Sequence, residues 1–317
     1  VTALSLLGFA IALMLGGAQL RRVTLFESLP RVGMLAWQVL SMAALASVAL
    51  AGATLIVPTS DLGHGLATFL RACIYTVQAA YIAPTQFPGV TAGVVLAAAS
   101  TLWPAGWVTG HLVAAYRDRR RTRDALVLVS REDAVLGATL VDAEVAAAYC
   151  LPGRHGRIVL TTAAVFALDD DELAAVIAHE RAHLRERHHL VVGGAIGLAR
   201  AFPSVPLFAT AAVEIARLAE LRADDAAARH TDQMSVAAAL VTLGGMRAPR
   251  AALAAADRGG AARVSRLLEP LAPVGIARPV AVLCGLTVVL LAPAVLAAYP
   301  ALAAAGADVC TLPSISG

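Results

Sequence analysis

The run Asp169-Asp170-Asp171-Glu172-Leu173-Ala174-Ala175-Val176-Ile177-Ala178-His179-Glu180-Arg181-Ala182-His183 carries a helix start, an apolar stripe and a metal-binding pattern in one short segment. Its acidic residues favour the positive end of a helix dipole, and Asp169 with Glu172 has the spacing of a capping box. Leu173, Val176, Ile177 and Leu184 then recur at helical period. His179 and His183 stand one turn apart, so both imidazoles point the same way and can share one zinc ion in tetrahedral geometry. Glu180 is placed to act as general base toward a water in that site. Composition alone yields about 0.006 such matches in a chain of this length, so the motif is not read as an accidental charged face.

A zinc site of this kind needs a third protein ligand. Glu220-Leu221-Arg222-Ala223-Asp224, 37 residues beyond His183, supplies one. It belongs to a helical stretch from about Ser204, with Pro206 in the first turn, where proline is tolerated. Glu220 and Asp224 share a helix face, Glu220 as ligand and Asp224 as the acid that orients a ligand imidazole. The plain alternative for this pair is a solvated acidic face balanced by Arg217 and Arg222. Upstream, Arg157 to Thr162 reads as a strand. Ile158, Val159 and Leu160 are expected to offer its edge to an extended substrate, the alternative being an ordinary internal strand. His155, His188, His189 and His230 are of the right type to stabilise an oxyanion, though each also reads as a solvated surface histidine.

Around this block the chain is unusually apolar. Of 317 residues, 59% are hydrophobic and 15% charged, with a mean hydropathy of +0.73, which points to lipid. All 25 basic residues are Arg, and the chain contains no Lys and no Asn. Those absences exclude a P-loop, a protein kinase, a Ser-x-x-Lys acylation site and Asn-linked glycosylation. A net charge of +3 without an aromatic-interleaved basic stripe speaks against direct nucleic-acid binding.

Four segments are long and apolar enough to span a bilayer: about Thr2–Leu20, Gly33–Val57, Gly89–Tyr116 and Pro279–Ala303. The first lacks a basic head and a cleavage site and is expected to be a retained anchor. Arg21, Arg22 and Arg31 follow the first segment, and Arg117, Arg119, Arg120, Arg121 and Arg123 follow the third. Basic residues beside a span stay cytoplasmic. The expected topology therefore has the N-terminus outside, residues 117–278 in the cytoplasm and the C-terminus outside, in a bacterial inner membrane. Leu66 to Ala83, interrupted by Arg71, is expected to be an interfacial or re-entrant external helix in the 58–88 loop. Leu190 to Ile215 is expected to pack within the cytoplasmic domain or lie against the membrane surface. The four Cys contain no CxxC. Cys150 and Cys284 read as small buried residues, whereas Cys73 and Cys310 both fall outside, where a disulfide between them is open.

From Tyr149 to about Arg229 the chain resembles the BlaR/MecR-type membrane zinc peptidases, an antirepressor family related to HtpX-like and CaaX-type membrane proteases. The resemblance rests on Leu151-Pro152-Gly153, Ile158-Val159-Leu160-Thr161-Thr162, Asp171 through His183, Arg185 through Leu190, Phe202-Pro203 and Glu220 through Asp225, in that order. It implies His179, His183 and Glu220 as zinc ligands, Glu180 as general base and Asp224 as supporting acid. The best-known members carry an external penicillin-binding sensor after the last span. Here only Gly306 to Gly317 follow, and no Lys exists for an acylated serine site. No covalent lactam sensor is expected, and regulation is expected through the spans, the 58–88 loop or a separate protein.

The expected fold class is mainly α: a polytopic membrane protein with four transmembrane helices and a cytoplasmic, gluzincin-like helical domain containing a small β-sheet. Its expected division is a membrane domain at 1–116, a zinc peptidase domain at 117–278, and a fourth span with tail at 279–317. The expected function is a membrane-anchored endopeptidase, holding one zinc per chain, that cleaves a protein substrate at the cytoplasmic face. A regulatory role, cleaving a transcriptional repressor or itself, is implied by the resemblance; membrane lipid is the other expected partner. The alternatives are an HtpX-like quality-control protease and a non-proteolytic signalling or scaffold protein with a structural metal site. Glu180 argues against the last, because a structural site needs no general base.

Overall fold

The computed structural model describes residues 1–56, 74–75, 78–79, 81–83, 87–153, 156–246, 253–269 and 275–310. Its first three long helices come from the first three apolar segments. They are α1 (Thr2–Gly16), prolonged by a 3₁₀ segment at Gly17–Arg22, α3 (Pro30–Ile56) and α4 (Pro88–Val129), with the short α2 (Leu25–Ser28) before α3. No Gly or Pro falls between His111 and Val129, so α4 runs on without a break. The arginines from Arg117 to Arg123 lie on the helix rather than in a loop.

Four short strands follow: β1 (Ser130–Asp133), β2 (Ala138–Val141), β3 (Ala148–Leu151) and β4 (Arg157–Thr161). They form one mixed sheet in the order β1-β2-β4-β3, with β2 and β4 parallel and the outer pairs antiparallel. Asp133 Oδ1 accepts from the backbone N–H groups of Val135 and Leu136, and Gly137 takes φ +60° to close the first hairpin.

This order corrects one expectation. Ile158, Val159 and Leu160 lie on β4, which is paired on both sides and offers no free edge. Three consecutive apolar residues suit a strand buried on both faces. The free edge nearest the metal helix belongs to β3. Thr161 N–H donates to Ala147 O at 3.0 Å, so by antiparallel alternation the backbone groups of Ala148 and Cys150 point away from β4.

The remaining elements are α5 (Thr162–Ala167), α6 (Asp170–Arg185), α7 (His188–Ala201), α8 (Pro206–Ala228), α9 (Gln233–Met246), α10 (Leu253–Leu268) and α11 (Ala277–Cys310). With α11, the described residues contain four helices long and apolar enough to cross a membrane. The capping box starts α6 as expected: Glu172 N–H donates to Asp169 Oδ1 at 2.8 Å, and Asp169 N–H donates to Glu172 Oε2 at 3.2 Å. Leu173, Val176 and Ile177 then pack on Leu140, Ile158 and Leu160 of the sheet. The opposite side of α6 meets α8 through Ala182, Ala223 and Ala226. Alanines let the two backbones approach closely enough for short carboxylate and imidazole side chains to meet.

Helices α7 and α8 form a hairpin whose apolar faces are covered by the spans, not by the sheet. Trp37 and Leu40 of α3 share a core with Leu198 of α7 and Leu207, Phe208 and Ile215 of α8. A Cβ on Gly197 would lie 2.7 Å from Val108 Cα, and one on Gly33 would lie 2.9 Å from Leu218 Cδ1. Leu190 to Ile215 thus packs along the apolar parts of α3 and α4. Most of Leu66–Ala83 lies outside the described residues, as does the Cys73–Cys310 pairing. Cys150 and Cys284 are free thiols, but Cys284 is exposed on α11 rather than buried.

Candidate metal centre

On α6, His179 and His183 turn their rings to the same side, and their Nε2 atoms lie 3.1 Å apart. Glu220 on α8 faces both: Oε2 is 3.6 Å from His179 Nε2, and Oε1 is 3.5 Å from His183 Nε2. The three side chains form a cluster whose ligand atoms all lie within 4.8 Å of one another. Two nitrogens at about 2.0–2.1 Å from a tetrahedral zinc would stand about 3.3 Å apart. The donor set and its spacing fit that ion.

Around the cluster each imidazole is met by a further side chain, an acid for His179 and a second imidazole for His183. His179 Nδ1 lies 3.0 Å from Asp224 Oδ1, and the Asp224 side chain is almost completely buried. Arg263 on α10 clamps that carboxylate with two hydrogen bonds, Nε to Oδ2 at 2.7 Å and Nη2 to Oδ1 at 2.6 Å. Its Nη1 also reaches Glu220 Oε2 at 3.0 Å. On the far side, His183 Nδ1 lies 3.0 Å from His188 Nδ1.

The charges explain the protonation behaviour. Burial alone would raise Glu220, but its hydrogen bond to His179 and the charge of Arg263 hold it down at about 2. Burial acts the same way on Asp224, and Arg263 with His179 brings it to about 2. Both carboxylates are therefore ionised at neutral pH. Burial would lower His179, yet hydrogen bonds to Asp224 and Glu220 outweigh it and lift the ring to about 9. His183 is lowered by burial and by charged His179, and His188 falls to about 4 for the same kind of reason, burial first. Two ionised carboxylates converging on facing imidazoles make a site that a divalent cation neutralises better than a proton does.

Beside the histidines opens a cleft of about 310 Å³, lined in part by Arg119, Cys150, Pro152, His188, Val192 and Glu220. Arg123 Nη2 donates to Pro152 O at 2.8 Å, tying the end of β3 to α4. The Cys150 thiol is pushed up to about 12, first by burial and then by the adjacent Glu180 carboxylate. Glu180 therefore sits close to Cys150 of the free-edge strand.

His179, His183, Glu220 and Asp224 are thus brought together, whereas the β4 edge is not. Of the four histidines considered for the oxyanion, His188 and His189 line the cleft, His230 is exposed beyond the end of α8, and His155 lies outside the described residues. Arg263 and Glu186 escape the sequence reading. Arg263 stands 39 residues from its partner Asp224 on an ordinary amphipathic helix, with no local signal to mark it.

Residues 119–277 match the family model described as Peptidase family M48. Comparison with curated proteins and with solved structures finds no match.

Proposed function

The chain belongs to peptidase family M48, the zinc metallopeptidases, and from that premise we propose that it is an endopeptidase working at the surface of the membrane that it spans. The observation that carries the reading is the facing pair His179 and His183 closed by Glu220. These three residues would hold the zinc. Asp224 fixes the tautomer and orientation of His179. When bound, the metal polarises the scissile carbonyl and makes a water more acidic. Glu180 takes the proton of that water and returns it to the leaving amine. The peptide lies along β3, where the outward backbone groups of Ala148 and Cys150 add it to the sheet as a further strand.

The position of the hairpin supports the membrane-surface reading. Trp103 lies 14 residues before Arg117, about 21 Å along a helix. Its Nε1–H donates to Ala201 O at the tip of the hairpin, at 3.0 Å. Leu207 packs near Gly17 and Leu218 near Gly33, so α8 climbs back along α3. If the arginines at Arg31 and Arg117 mark the headgroups, the tip lies well inside a hydrocarbon core of about 30 Å without crossing it. Glu220, 13 residues beyond Leu207, returns to the level of Arg31. By the distribution of arginines that level is the cytoplasmic face, with both termini outside.

A regulatory substrate, such as a repressor, remains the leading reading within the family. The depth of the hairpin favours a second one, quality control of membrane proteins. Comparing cells that express the wild type with cells that express Glu180→Ala separates them. One soluble repressor accumulating uncleaved supports regulation, and several membrane proteins accumulating supports quality control. An unchanged set of cleavage products sinks proteolysis and leaves the scaffold role.

A further inference from the structure

Between α6 and α7 the chain reverses at Arg187, which takes φ 52° and ψ 39°, a left-handed conformation uncommon for a residue with a side chain. That turn brings His188 back against His183, where the two Nδ1 atoms lie 3.0 Å apart. His188 is buried, with 3% of its surface exposed. Its Nε2 lies 3.5 Å from Glu186 Oε2 and makes no hydrogen bond among the described residues.

Proton placement along this line is determined once one end is fixed. His183 offers Nε2 to the metal, so its single ring proton sits on Nδ1 and is donated to His188 Nδ1. The His188 proton must then sit on Nε2, whose nearest acceptor is Glu186 Oε2 at 3.5 Å. Glu186 is an acceptor for two guanidinium groups. Arg222 of α8 donates through Nε at 3.1 Å and approaches through Nη2 at 2.7 Å. Arg31, at the start of α3, donates through Nε at 3.2 Å and Nη2 at 2.8 Å. The Arg222–Glu186 pair is nearly buried, at 10% and 11% side-chain exposure, whereas Arg31 is 61% exposed.

We infer that His188 is a positioning residue for the metal ligand His183, and that Glu186 ties this support to the second membrane span through Arg31. The other imidazole, His179, is braced by Asp224 and Arg263, neither of which lies on a span. Among the described residues, the polar side-chain contacts that run from His183 through His188 and Glu186 end on Arg31 of a spanning helix, so movement of α3 changes how firmly the ligand is held. The inference rests on the zinc reading above, and its test keeps the two failures apart.

The test measures zinc affinity by chelator competition on the full chain in one detergent, alongside thermal unfolding of each chelator-treated protein. Wild type binding one zinc is the control; if it binds none, the zinc reading fails and this inference falls with it. With that control met, His188→Phe and Glu186→Gln are expected to weaken zinc about 10- to 100-fold. Arg31→Gln, acting through an exposed pair, is expected to weaken it about 2- to 5-fold. It should have no further effect in the His188→Phe background, because the line is already cut. If His188→Phe does not fold, the double variant of Arg31→Gln with Glu186→Gln makes the same comparison. Unchanged zinc affinity in Glu186→Gln and Arg31→Gln overturns the inference, even where unfolding temperatures drop. So does a full additive effect of Arg31→Gln when the line is cut.

Discussion

Trp103 on a membrane-spanning helix and Ala201 at the tip of the α7–α8 hairpin are joined by a hydrogen bond of 3.0 Å from indole Nε1–H to carbonyl oxygen. The contact satisfies one of the carbonyls left free at the end of α7. It also pins the far end of the hairpin that carries Glu220 back to the metal.

Close packing along this contact gives a stability prediction. Gly197→Ala would set a Cβ 2.7 Å from Val108 Cα, a backbone atom that cannot swing aside, whereas Gly194 has nothing within 4 Å. Gly197→Ala should lower stability by about 1–3 kcal/mol, and Gly194→Ala should not lower it. Thermal unfolding of the two variants in the same detergent checks this. Equal behaviour would mean that α4 and α7 are not in contact.

The free edge of β3 gives a kinetic prediction. Cys150→Pro removes an N–H that points away from β4, leaving the β3–β4 hydrogen bonds in place. Peptide cleavage should fall mainly through a raised KM, while zinc content stays at the wild-type level. Wild-type kinetics in this variant would place the substrate elsewhere.

Glu186 supplies a pH dependence. Burial would raise its pKa, but the hydrogen bond from Arg31 and the charge of Arg222 outweigh that and hold it below the ordinary carboxylate range. A depressed carboxyl contributes stability that is fully present above its unfolded pKa and is lost as the pH falls through the lower folded value. Unfolding temperatures of wild type and Glu186→Gln should therefore differ at neutral pH and converge well below about pH 4. A difference that persists in acid would mean that the carboxylate charge is not its source.

The metal helix is legible in the sequence because its determinants are local. A capping box, a stripe at helical period and two histidines at i and i+4 all fall between Asp169 and His183. The spans are legible for the same reason, since length and apolarity decide them. Glu220 and Asp224 are recognisable through their spacing of four and the family resemblance of their segment, and their place opposite α6 depends on the small residues Ala182, Ala223 and Ala226. Strand order is not local, although the unbroken run Ile158-Val159-Leu160 does carry the mark of an interior strand. Gly193 and Gly197, four apart, mark the face on which α7 meets α4. Nothing near Arg263, Glu186 or Arg31 signals its partner, because those pairs span 39, 36 and 155 residues and are created by the tertiary fold.

The most direct test of the central claim measures zinc content and cleavage of a membrane-protein or repressor substrate on the same purified samples of three full-length proteins. Wild type should hold one zinc per chain and cleave. Glu180→Ala should hold the same zinc and lose cleavage, and Glu220→Ala should lose both. Zinc bound at full stoichiometry in Glu220→Ala, or cleavage surviving in Glu180→Ala, would contradict the account.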